Sequence, residues 1–168
     1  MHDKGLCGIV IPSGIYSDLG TKQLRQMLFD KTQITGLFCF ENRKGIFENV
    51  DSRFKFVVLT FEKGGKTAQF PAAFMRHEVS ELQAFPKQGS IEIEPELISR
   101  LFPISLSIPE FKNVFDVKIS SKFMNIPYFN YGQNGWQFDL YGEELNMTRS
   151  SHLFKTNPTP HPVYEGDM

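Results

Sequence analysis

The chain has 168 residues, 40% hydrophobic and 22% charged, which is enough for one domain with its own core. A net charge of -1 removes any bulk electrostatic case for nucleic acid, so such a role must rest on local basic residues. The two cysteines, Cys7 and Cys39, fall in strand-like runs without metal spacing or a disulfide framework, and no N-terminal apolar run is long enough for a signal peptide or a span. These features predict a cytoplasmic protein with reduced core thiols and no membrane partner.

In chain order, Leu6 to Ile11 reads as a short buried strand closed by Pro12-Ser13-Gly14. Thr21 is placed to cap a helix running to about Lys31. Its spacing puts Leu24, Met27 and Leu28 on the inner face and Lys22, Arg25 and Gln26 outside. Ile34 to Phe40 is a second strand, so a right-handed βαβ unit with parallel pairing is predicted. Ligand sites in open α/β sheets lie off the carboxyl ends of such strands, here Pro12-Ser13-Gly14 and Glu41-Asn42.

The densest strand signal is Phe54 to Phe61, rich in β-branched and aromatic residues. Its apolar run from Phe56 to Leu59 is near-continuous, which predicts burial on both faces of a sheet. A polar loop, Ile46 to Arg53, precedes it and carries one large aromatic, Phe47. Phe47 either caps the core, the commoner use of such a residue, or lines a site. Asp51 and Arg53 read as a loop ion pair, or as a phosphate contact in which Asp51 orients Arg53. Arg43, Lys44, Arg53 and Lys55 form the basic cluster near the strand ends, for which a solvated surface is the more frequent explanation.

Gly64-Gly65 predicts a hairpin into an antiparallel edge strand from Thr67 to Phe74, where Pro71 is tolerated. Helices are expected over His77–Phe85, ended by Pro86, over Pro95–Leu101, and over Glu110–Phe123. An aromatic loop follows at Asn125–Gly132, then an alternating strand at Trp136–Tyr141 and an extended tail at Asn157–Pro162. The chain then stops at Met168 with no closing element in sight. The four histidines are scattered, so no metal site is predicted, and no Gly-x-Gly-x-x-Gly or Gly-x-x-x-x-Gly-Lys run exists. Ser13 lacks the flanks of a nucleophile elbow and reads as a turn residue.

Gly8 to Ile15, Asp18-Leu19-Gly20, Leu24-Arg25, Phe40-Glu41-Asn42, Ile46-Phe47 and Asp51 to Phe56 together resemble the later motifs of adenine-specific DNA methyltransferases. The likeness is to the type IIG restriction-modification group in particular. Leu145 to Thr148, Ser151 to Phe154 and Tyr164-Glu165-Gly166 resemble the passage from catalytic domain to target recognition in that group. The resemblance implies an α/β fold: residues 1–108 as the second half of a Rossmann-like, methyltransferase-type mixed sheet with helices. Residues 109–168 would begin a DNA target-recognition region, irregular α+β in structure and truncated.

In that family S-adenosylmethionine donates the methyl group and the target adenine is flipped from the duplex. The resemblance assigns Pro12, Ser13 and Phe47 to the base pocket, and Arg43, Lys44, Asp51, Arg53 and Lys55 to DNA contact. The cofactor motif and the Asn-Pro-Pro-Tyr box precede this region in the family and are not in this chain. Asn125-Ile126-Pro127-Tyr128 only superficially resembles that box, since it lacks the second proline and follows a helix. The implied protein is a fragment or split subunit of a DNA adenine methyltransferase with no catalytic residue of its own and no cofactor bound by this chain alone. Its expected partners are double-stranded DNA and the missing N-terminal methyltransferase half, or a second copy of itself. The alternative is a non-catalytic nucleic-acid-binding or interaction module.

Overall fold

The computed structural model describes residues 4–123 and 151–153. Contacts divide the chain into two compact units, Met1–Pro127 and Tyr128–Met168, and the fold below is that of the first. Its elements are β1 (Leu6–Pro12), α1 (Gly14–Ser17), α2 (Lys22–Lys31), β2 (Thr32–Glu41), β3 (Lys55–Lys63), β4 (Phe70–Arg76), α3 (Ser80–Ala84), β5 (Ile91–Ile93), α4 (Pro95–Leu101) and α5 (Val114–Phe123). The class is α/β, as expected, built on a five-stranded mixed sheet of order β1-β3-β2-β4-β5.

The pairing differs from expectation in two places. β1 and β2 run the same way but do not touch; β3 lies between them, antiparallel to both. The reason is burial. The Phe56–Leu59 run satisfies two apolar faces, so it takes a position with neighbours on both edges. β1 is left as an edge strand and is largely exposed, not buried as its apolar run predicts.

The second correction concerns β4, which is no hairpin partner of β3. It pairs parallel with β2 on one side and antiparallel with β5 on the other. Thr67 explains the detour. Its buried hydroxyl donates to the Thr32 carbonyl at 2.7 Å and accepts from the Ile34 N–H at 3.0 Å. Its own N–H donates to the Phe29 carbonyl at 2.9 Å. These bonds fasten the link from Gly64 across the start of β2 and deliver the chain to the far edge. β5, which covers β4 there, is too short for its three residues to carry a periodic signal.

Two apolar clusters sit on opposite faces of the sheet. The larger packs Leu28 and Phe29 of α2 and Ile98 of α4 against Leu37, Cys39, Val57 and Leu59. The smaller consists of Phe38, Phe40, Phe56 and Ala73, with Leu82 and Phe85 closing over it. Both cysteines are free thiols: Cys39 is buried, and Cys7 is half-buried.

α2 spans the expected residues but shows a different face. Arg25, predicted to point outward, is buried to 1% exposure, whereas Leu24 and Met27 are exposed. The Arg25 guanidinium donates to the carbonyls of Ile15 at 2.9 Å, Asp18 at 2.6 Å and Ser105 at 2.7 Å. It gathers carbonyls from three turns, a role that apolar periodicity does not detect. Thr21 makes no side-chain cap; its hydroxyl donates back to the Gly14 carbonyl at 2.6 Å. α5 begins four residues later than expected, because Asn113 caps it through the N–H groups of Phe115 and Asp116. The aromatic loop at 125–132, the strand at 136–141 and the tail at 157–162 lie outside the described residues.

Candidate functional site

β1, β2 and β4 are mutually parallel, so their carboxyl ends share one rim. Pro12, Glu41 and Arg76 close these strands, and the start of β3 comes back among them. Pro12 is the register partner of Phe56, and the Ser13 N–H donates to the Lys55 carbonyl at 3.1 Å. Phe47 leans edge-on against Phe56, with centroids 4.7 Å apart. Phe47 is neither sealed in the core nor free: it keeps 44% of its surface exposed. Pro12, Ser13 and Phe47, far apart in sequence, thus converge around the first two residues of β3.

Phe47 ends a row of aromatic rings. Phe85 meets Phe38 at 5.1 Å, Phe38 meets Phe40 at 4.8 Å, and Phe40 stacks on Phe56 at 5.0 Å with an interplanar angle of 18°. Four of the five rings are fixed by packing, and the exposed fifth stands on a rigid support. Asn42 sets its position. That side chain is 1% exposed and grips the loop at both ends: its amide donates to the carbonyls of Phe47 at 3.0 Å and Val50 at 2.9 Å, and its oxygen accepts the Phe47 N–H at 2.9 Å. Sequence reading placed Asn42 at a strand end but missed this clamp. A strand-terminal Asn five residues before a lone aromatic was the available signal.

The four basic residues of the predicted cluster are each paired with an acid. Arg43 bonds Glu41 at 2.7 Å, Lys55 bonds Glu110 at 2.6 Å, Arg53 bonds Asp51 at 2.8 Å, and Lys44 pairs with Glu78. Asp51 accepts from the Arg53 side chain and from its backbone N–H, and these bonds lower its pKa. The pair is exposed, so it orients Arg53 more than it stabilises the fold. Glu41 is held down to about 2, chiefly by its bond to Arg43 and then by the His77 contact at 3.1 Å. Glu110 also accepts the Tyr16 hydroxyl at 2.7 Å. Desolvation pushes the pKa of Tyr16 far up, and the same cause raises that of the adjoining Cys39 thiol. Both groups therefore stay protonated and serve packing.

On this rim a side-chain carbon added at Gly14, in the turn after β1, would run into the Asp18 carboxylate, whereas one added at Gly45, in the turn after β2, would meet nothing within 4 Å. A cavity of about 620 Å³, lined in part by Gln26, Asp30, Lys66, Thr67 and Glu96, opens beside the amino end of β2. Among the described residues no group of three or more His, Cys, Asp or Glu could hold a metal ion. No described helix is long and apolar enough to cross a membrane.

No protein-family model matches the chain, and no curated protein does. Among solved structures it is similar to a chain described as a modification subunit of a type I restriction enzyme from Vibrio vulnificus YJ016, with a TM-score of 0.51 at 11% identity. The likeness is one of fold. It covers 68% of this chain and 29% of that one. A second structure, described as bearing on complex assembly and conformational transition of the type I restriction-modification system, aligns at a TM-score of 0.48 and 13% identity over 73% of this chain and 33% of the other. The chain thus spans about a third of the length of the structures it matches.

Proposed function

We propose that the chain is a fragment or split subunit of a DNA adenine methyltransferase of a restriction-modification system, contributing one wall of a flipped-base pocket and part of the DNA contact surface. The observation that carries this reading is the meeting of Pro12, Ser13 and an exposed, rigidly backed Phe47 at the carboxyl rim of three parallel strands. A flat base stacked on Phe47 would gain ~1–3 kcal/mol, which holds an extruded nucleotide but performs no chemistry. The sequence resemblance to type IIG adenine methyltransferases and the fold of part of a restriction-modification subunit support the same assignment.

In this reading Arg53, turned outward by Asp51, meets a phosphate, and Arg43, Lys44 and Lys55 contribute by exchanging acid partners for DNA. That exchange makes binding weak and steeply salt-dependent. In this reading the methyl donor and the groups that orient the target amine belong to a separate polypeptide, because the sequence carries neither a Gly-x-Gly-x-x-Gly run nor an Asn-Pro-Pro-Tyr box. The same missing motifs favour a second reading, a DNA-binding module without catalysis. Both readings place the protein in the cytoplasm, beside DNA.

Phe47→Ala separates them. Combined with a cofactor-binding methyltransferase half, the variant is expected to lose turnover roughly ten- to a hundredfold while duplex affinity stays nearly constant. Wild-type protein that never supports methyl transfer with such a half, yet binds duplex DNA, would leave only the binding module. Stoichiometric S-adenosylmethionine binding to the isolated chain in a calorimeter would refute the division of labour itself.

A further inference from the structure

We propose that the outer edge of β1 is a self-pairing surface that joins two copies of this chain into one continuous sheet about a two-fold axis at Gly8. The inference is independent of the methyltransferase reading. It starts from the hydrogen-bond pattern of β1. Lys63 N–H donates to the Gly5 carbonyl and Ser13 N–H to the Lys55 carbonyl, and the register between them is unbroken. The odd-numbered residues of β1 therefore turn their backbone groups toward β3. Leu6, Gly8 and Val10 turn theirs to the open edge, where no strand lies among the described residues.

This edge lacks the usual protections. The sequence Leu6-Cys7-Gly8-Ile9-Val10-Ile11-Pro12 contains no charge and no bulge, and its large apolar side chains Leu6, Ile9 and Val10 are exposed, Leu6 to 77% and Val10 to 55%. An open, flat, uncharged edge of this kind is a template for another strand. Pro12 alone blunts it, since its missing N–H falls on the outward side and ends the template.

The occupant that fits is a second copy. Antiparallel pairing centred on Gly8 sets Leu6 of one copy opposite Val10 of the other, and Cys7 opposite Ile9 on the reverse face. Leu6, Ile9 and Val10, the large exposed side chains of β1, then each meet an apolar partner, and no like charges are brought together. A two-fold axis perpendicular to the sheet keeps the aromatic faces of both copies on the same side. Because the strands oppose each other, the two carboxyl rims carrying Phe47 lie at opposite ends of the joined sheet.

The geometry gives a register-specific test on the full chain. Sedimentation velocity at high protein concentration is expected to show a dimer, weak because a single strand edge is a small interface. Val10→Lys is expected to return it to a monomer. Under mild oxidation Ile9→Cys should crosslink to the native Cys7 of the second copy, giving a dimer on non-reducing denaturing gels, since directly opposed residues that are not hydrogen-bonded lie within disulfide reach. Val10→Cys, on the other face of the strand, should not crosslink to Cys7. A wild-type monomer at every concentration would overturn the proposal. So would a dimer indifferent to Val10→Lys, equal crosslinking by both cysteine variants, or Leu6, Gly8 and Val10 amides protected from exchange only when a different polypeptide is added.

Discussion

Asn42 and Arg25 carry more of the structure than their neighbours of the same polarity, because each is buried and bonds several backbone groups from different turns at once. Asn42→Ala would strand the carbonyls of Phe47 and Val50 and the Phe47 N–H, so a loss of about 2–3 kcal/mol is expected in chemical denaturation, together with faster amide exchange at Phe47. Asp51→Ala, on the exposed ion pair, is expected to cost less than about 0.5 kcal/mol by the same measurement. Glu41 adds a dependence on pH. Its folded pKa lies near 2, below the usual carboxylate value, because of Arg43 first and His77 second. The stability it contributes is therefore fully present above about pH 4.5 and disappears as pH falls through about 2. Glu41→Gln is expected to flatten the acid limb of a stability-against-pH curve while changing little near neutrality. An acid limb unchanged in the variant would mean that another carboxylate sets it.

At the scale of elements, β2 holds the sheet's tightest point. Gly36 sits at the break in register with β3, and a side-chain carbon there would lie 2.8 Å from the Phe85 ring and 3.0 Å from the Thr60 hydroxyl. Gly36→Ala is expected to lower stability by about 1–3 kcal/mol, as overpacking does, and to perturb the near-ultraviolet signal of the aromatic row. Phe85→Leu in the same chain should recover part of the loss, since the obstructing ring is then gone. The same elements mark what the sequence reveals and what it hides. β2, β3, α2 and α4 are legible because each carries its own period or punctuation: the Phe56–Leu59 run, Thr21 before α2, Pro95 at the first turn of α4. Pairing is not legible, since nothing in β1 or β4 announces which edge each will find; that follows from the competition of β3 for two-sided burial and from one threonine in a link. The site follows the same rule. Pro12, Ser13 and Phe47 could be nominated one by one, but their meeting depends on the register of β1 with β3, and the Asn42 clamp on tertiary hydrogen bonds.

For the whole unit, the sheet divides a large helix-covered core from a smaller aromatic one, and both lean on the same two central strands. Whether the two cores behave as one body or as two can be asked by paired substitutions. Ile98 lies in the helix-covered core and Phe56 in the aromatic one, with the sheet between them. Ile98→Val and Phe56→Leu are each expected to cost about 1–2 kcal/mol, and the double variant to cost their sum within about 0.5 kcal/mol. Phe40 and Phe56, by contrast, stack face to face at 5.0 Å. Phe40→Leu combined with Phe56→Leu should fall short of additivity by about 0.5–1.5 kcal/mol, because the first substitution already forfeits the ring contact. Urea titrations of the single and double variants measure both cycles. A coupling between Ile98 and Phe56 as large as that between Phe40 and Phe56 would mean that the sheet transmits strain from one face to the other. Phe47, standing on Phe56, would then feel changes made beneath α4.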